Sequence, residues 1–110
     1  VGGQLKWNGV VLGASRGEEL RAVYHGRISF AYRLAGMGLL VIDDHSEGYM
    51  TLYSYNETII KNAADWVAPA DVIATVGDSG GQAQAGLYFE IRQDTKPLNP
   101  RRWVTRRPGD

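Results

Sequence analysis

The side chains able to do chemistry in this chain fall into three groups. Gly77-Asp78-Ser79-Gly80-Gly81 has the form of a serine-protease nucleophile loop. In such loops the glycine-flanked backbone makes an oxyanion hole, and an Asp-oriented His activates the Ser. No segment here supplies that His in context, and 110 residues are too few for the two barrels of that fold. A tight Gly- and Ser-rich turn between strands is the plainer reading. The second group, Asp43-Asp44-His45 with His25, offers oxygen and nitrogen donors. A zinc site needs three ligands converging in fixed orientation. Adjacent strand residues point to opposite faces, so Asp43 and Asp44 fit a solvated hairpin end better than a ligand set.

The third group is aromatic. Period two puts Tyr49, Thr51, Tyr53 and Tyr55 on one face of a strand and Met50, Leu52 and Ser54 on the other. In the segment 87–92, Leu87, Phe89 and Ile91 make an apolar face, and Tyr88, Glu90 and Arg92 share the other with Gly86. Tyr and Arg join apolar area to a polar tip, as binding hot spots favour. Half-buried strand tyrosines serving only the sheet would look the same.

The elements that must hold these groups read as strands. Residues 27–34 alternate, with Ile28, Phe30, Tyr32 and Leu34 on one side; 38–44 is an apolar run buried on both faces, closed by a hairpin loop ending at Gly48. Further strands are predicted over 10–12, 20–24, 49–55, 72–76 and 87–92, and at most one helical turn over 62–66. Pro97, Pro100 and Pro108 are expected to keep the end of the chain out of regular structure. Fourteen glycines against four prolines suit many tight turns, giving an all-β antiparallel domain. One such domain is what this length accommodates. Twelve basic and twelve acidic residues cancel, which argues against a bulk electrostatic grip on nucleic acid or an anionic membrane. There is no cysteine and no apolar run of membrane-spanning length. A start at Val1, without Met or a signal-like stretch, suggests a domain excised from a longer precursor, with 101–110 as a basic tail.

On these residues the chain resembles the LytM-type (lysostaphin-like) zinc endopeptidases that cut peptidoglycan cross-links. The likeness runs through Gly9 to Leu12, Tyr24-His25-Gly26-Arg27-Ile28, Gly36 to Asp44, Gly48 to Tyr53, Val72 to Gly77, Ser79-Gly80 and Leu87 to Arg92. It implies an antiparallel β-sheet fold with a groove over the active site. It also implies where the chemistry is missing. Active members carry His-x-Gly-x-Asp where this chain reads Trp7-Asn8-Gly9-Val10-Val11, and His-x-His where it reads Gly86-Leu87-Tyr88; a further catalytic His falls at Tyr55. The resemblance therefore leaves no catalytic residue, no metal ligand and no cofactor, because Trp, Val and Gly offer zinc no lone pair and a neutral phenol is a poor ligand.

Within the family the chain looks most like degenerate members that activate murein hydrolases in the periplasm of Gram-negative bacteria. That implies binding to a zinc-dependent N-acetylmuramoyl-L-alanine amidase whose inhibitory helix is drawn away during cell separation. It also implies a link to a divisome transporter through precursor regions absent here. The implied partner groove comprises Trp7, Asn8, Val11, Met37, Tyr53, Tyr55, Gly86, Tyr88 and Arg92. Asn8 and Met37 replace a Lys and a Tyr of such activators. Direct peptidoglycan binding is the first alternative. A working zinc peptidase using His25, His45 and Asp43, and a hydrolase acting through Ser79, are the others.

Overall fold

The computed structural model describes residues 9–94 and 96–99, and all regular structure among them is β. The strands are β1 (Val10–Gly13), β2 (Glu19–Arg21), β3 (Gly26–Leu34), β4 (Gly38–Ser46), β5 (Tyr49–Asn56), β6 (Thr58–Ile59), β7 (Trp66–Val67), β8 (Val72–Thr75), β9 (Gly86–Gln93) and β10 (Lys96–Leu98). Seven make one antiparallel sheet in the order β1-β9-β5-β4-β3-β7, with β10 also pairing β9. A small second sheet runs β2-β8-β6.

The core lies between the two sheets. Leu20, Ala22, Ile73 and Ala74 from the small sheet side meet Ile28, Val41, Tyr53, Leu87, Phe89 and Ile91 from the large one. Each of the Leu, Ile, Val and Phe side chains contributes about 1.5–3 kcal/mol by leaving water. The opposite face of the large sheet carries Val11 beside Tyr88, Tyr88 beside Ser54, and Leu52 beside Glu90 and Ile42. Because β4, β5 and β9 are central, they are buried on both faces, which explains the unbroken apolar run in β4.

Among the described residues of the large sheet, strict alternation fails at three β-bulges. In β3, Ile28 pairs Asp43 but Phe30 pairs Ile42, so one extra residue turns Ile28 into the core and Phe30 and Tyr32 to the other face. In β4 a second extra residue, at His45, lies between the Asp44–Met50 and Ser46–Tyr49 pairs. In β5, Tyr53 pairs Val41 and Asn56 pairs Leu39, leaving one residue too many between them; Tyr55 absorbs it at φ 70°. Tyr53 and Tyr55 therefore point to opposite faces, contrary to the shared face read from period two.

Other departures are local. β2 stops at Arg21, and Val23 and Tyr24 are exposed. Residues 62–65 form a turn rather than a helix, with Asp65 N donating to the Asn62 carbonyl and Ala64 at φ 79°. Pro97 sits inside β10, opposite Arg92, where an edge strand tolerates the missing N–H. Pro100, Pro108 and the basic tail lie outside the described residues. At the β4–β5 hairpin Gly48 is required twice over: its φ is 84°, and a Cβ there would stand 2.1 Å from Asp94 Oδ1.

Candidate functional site

Four of the nine positions read from the sequence meet on the outer face of the large sheet. The β1–β9 register sets Val11 against Tyr88 and places Gly86 opposite Gly13. The left-handed turn at Tyr55 swings its ring to Tyr88, with centroids 5.8 Å apart and planes tilted by 39°. Val11 is half exposed, whereas Tyr55 and Tyr88 are largely buried. Gly86 is held by its N–H on the Gly77 carbonyl at 3.0 Å.

Arg92 joins this face through Glu90, a residue whose part the sequence left unread. Glu90 is buried, and its Oε2 accepts from Arg92 Nε at 3.1 Å and Nη2 at 3.0 Å. Its side chain is also hydrogen-bonded with Tyr88. Burial first, and then the Glu90 charge, push the Tyr88 phenol up to about 12. Opposite charges two apart on one strand face were a legible signal for this pairing. A buried carboxylate stripped of its partner typically costs about 3–5 kcal/mol, so Arg92 first neutralises Glu90. Its remaining guanidinium donors are what it can offer a ligand.

Met37 is tied to the same place by backbone: its carbonyl accepts from Tyr55 N at 3.1 Å and from the Ser54 hydroxyl. Ser79 braces the neighbouring loop. Its hydroxyl donates to the Asn56 carbonyl at 2.6 Å and accepts from Leu39 N at 3.0 Å, while its own N–H reaches the Tyr55 carbonyl at 3.2 Å. The hydroxyl is thus committed to backbone groups, and the protease-like string is a strand-bracing turn.

Tyr53 does not belong to this face. It is 1% exposed, its ring packs 5.5 Å from Phe89, and its hydroxyl accepts from Val23 N at 3.3 Å and Thr51 Oγ1 at 2.9 Å. Desolvation pushes its phenol up to about 12 as well. Trp7 and Asn8 fall outside the described residues.

Zinc, the metal of LytM-type peptidases, does not fit the donors present. At the positions that the resemblance assigns to the metal and catalytic side chains, the described residues offer an isopropyl group, a glycine and two phenols, of which Tyr88 holds its proton more tightly than usual. The nearby carboxylate is bound to Arg92. The alternative set fares no better: His45 Nδ1 donates to the His25 carbonyl at 2.6 Å and Nε2 bonds Thr51 Oγ1 at 2.8 Å, so both ring nitrogens are taken. Asp43 is fully buried and Asp44 exposed, so the pair does not converge. Among the described residues no three His, Cys, Asp or Glu side chains are grouped to hold an ion.

Comparison with known proteins agrees with this fold. Residues 5–100 match the description of Peptidase family M23. The chain is 43% identical over 104 residues to the murein hydrolase activator EnvC of Escherichia coli K12, covering 94% of this chain and 25% of that protein. It is 34% identical over 100 residues to the murein hydrolase activator NlpD of the same organism, covering 90% and 26%. The catalytic domain of lysostaphin from Staphylococcus simulans superposes with a TM-score of 0.83 at 17% identity, covering 94% of this chain and 81% of that one. The chain thus spans about a quarter of the curated activators it matches, and a lysostaphin-like fold throughout its described part. With its all-β order, its outer-face cluster and a match across most of its length, the chain belongs to peptidase family M23.

Proposed function

We propose that this domain is a non-catalytic activator of a peptidoglycan hydrolase, gripping a regulatory segment of that enzyme on the Val11–Tyr55–Tyr88–Arg92 face. The partner read from the sequence is a zinc-dependent N-acetylmuramoyl-L-alanine amidase in the periplasm of a Gram-negative bacterium. The observation that carries the reading is the outer-face cluster, which the resemblance read from the sequence gives as a set of replacements. Where peptidases of this family gather metal donors, this chain gathers an exposed valine and two packed tyrosines beside a neutralised Glu–Arg pair. Such a face has lost what polarises an amide or activates a water, and gained what binds apolar side chains. The names of the relatives EnvC and NlpD support the same assignment.

Activation then follows from differential affinity. An amidase alternates between a closed state, with its helix over the active site, and an open state with that helix displaced. A domain that binds the displaced helix shifts the population toward the open state by as much as its preference between the two, and no further. An amphipathic helix presents residues at i, i+3 and i+4 to an apolar floor, which Val11, Tyr55 and Tyr88 supply, with Arg92 beside them as a polar anchor.

The test is release of dye from labelled peptidoglycan by a periplasmic amidase, with and without the domain. Val11→Glu changes a half-exposed side chain and leaves the core untouched, so it keeps the fold while abolishing stimulation; Tyr88→Ala does the same at some cost in stability. Arg92→Ala is the less clean probe, because it strips the buried Glu90 of its partner. Normal stimulation by folded Val11→Glu and Tyr88→Ala variants would overturn the assignment. So would chelator-sensitive cleavage by the domain alone.

A further inference from the structure

Distinct from the Val11–Tyr55–Tyr88 face, a pocket of about 480 Å³ is lined by His25, Asp44, His45, Ser46, Trp66 and Asp71, among others. Its size lies within the range of small-molecule sites. Trp66 is 72% exposed, an unusual position for the largest side chain on a short edge strand. It is nevertheless held in place. The Arg27 guanidinium lies 5.2 Å from the indole centroid, and Arg27 Nε is fixed on the Ala64 carbonyl at 3.1 Å. Nearby, Tyr24 stands edge-on to His25 at 5.3 Å and tilted to His45 at 5.9 Å.

The polar groups of the pocket are preset as well. Asp44 Oδ1 accepts from Ser46 N at 2.9 Å, and Asp71 Oδ2 accepts from Ala68 N at 2.8 Å. Each carboxylate is thereby oriented with a second oxygen left as acceptor. The turns around the pocket hold Ser46, Ala64 and Ala70 at φ 74°, 79° and 74°, conformations that side-chain-bearing residues adopt at a cost. Hence this corner combines a held aromatic plate, oriented acceptors, the Ser46 hydroxyl and the His25 imidazole.

We propose that this pocket is a saccharide site, stacking a neutral pyranose ring on the open face of Trp66 while the carboxylates and Ser46 bond its hydroxyls. An aromatic plate with acidic neighbours also suits an ammonium ion. Here, however, one face of the indole already carries a guanidinium, which repels a second cation at the other. A hydroxyl-rich, uncharged ligand uses both donors and acceptors without meeting that repulsion. The proposal does not depend on the activator reading, since none of the six residues belongs to the outer-face cluster.

The test is an NMR titration of the full chain with the tetrasaccharides of β-1,4-linked N-acetylglucosamine and of β-1,4-linked glucose, and with tetramethylammonium. Saturable shifts of the Trp66 indole N–H by at least one tetrasaccharide are expected, with affinity falling at least about tenfold in Trp66→Ala and largely kept in Trp66→Phe. Because the side chain is exposed, the alanine variant keeps its fold, and its spectrum checks this directly. No saturation by either sugar, or equal affinity in Trp66→Ala, overturns the site. Binding of tetramethylammonium in place of sugar overturns the ligand class. Loss of amidase stimulation elsewhere on the domain leaves all of these outcomes readable.

Discussion

Replacing Ser79 by Ala separates two meanings of the Asp-Ser-Gly-Gly turn. The hydroxyl joins three pieces of chain that are far apart in sequence, donating to the Asn56 carbonyl at 2.6 Å and accepting from Leu39 N at 3.0 Å. Alanine leaves an unpaired carbonyl and an unpaired N–H. Each abandoned buried group costs about 1–3 kcal/mol. The site is only partly buried, so water reaches some of the vacated space and the lower end applies to each, giving about 2 kcal/mol in total. For a domain near this size that lowers Tm by about 8 °C. Thermal unfolding followed by circular dichroism measures the shift, and the dye-release assay below the transition measures stimulation. The expected result is a lowered Tm with stimulation retained at a temperature where the variant is folded. An unchanged Tm would refute the bracing role. A hydrolytic activity of the parent that vanishes in the variant would restore Ser79 as a nucleophile.

Two further substitutions test the interior. Asp43 is fully buried and neither oxygen has a hydrogen-bond partner; burial foremost, then the Asp44 charge, raise its pKa above the ordinary 3.8, against the pull of His45. The folded chain thus holds this proton more tightly than the unfolded one, so the contribution of Asp43 to stability is greatest below about pH 4 and falls as pH rises through the folded pKa. Asp43→Asn removes that fall: its Tm relative to the parent rises from pH 4 to pH 7, and a relative decrease over that interval would refute the sign. Tyr53→Phe leaves Val23 N and Thr51 Oγ1 without the phenol oxygen and costs about 1–2 kcal/mol. Because Tyr53 faces the core, stimulation of the amidase is unchanged; its loss from a folded Tyr53→Phe domain would return Tyr53 to the binding face.

The long strands were legible because each is set by a pattern the local sequence carries: the apolar run of β4, and the alternation in β5 and β9 that sorted Phe89 from Tyr88. What period two could not show is where the count breaks. The extra residue at Tyr55 exists only because β4 and β5 are paired with unequal lengths between the Val41–Tyr53 and Leu39–Asn56 pairs. Nothing within 49–56 signals it, so Tyr53 was assigned the face that Tyr55 occupies. The bulge in β3 likewise parted Ile28 from Phe30 and Tyr32. The strands β6, β7 and β10 are two or three residues long, too short for any periodicity, and exist as hydrogen-bonded borders of longer neighbours. At the site, family likeness located Val11, Gly86, Tyr88 and Tyr55 through chain order. Glu90 was legible as a charge two residues from Arg92 on the same strand face, whereas its burial and its distances to Arg92 were not.

The left-handed residue in β5 separates aim from identity. Backbone geometry alone decides that whatever occupies position 55 looks toward position 88, so exchanging that side chain alters the reagent without re-aiming it. Position 55 of this fold can thus change its chemistry by a point change, the strands and their spacing left as they were.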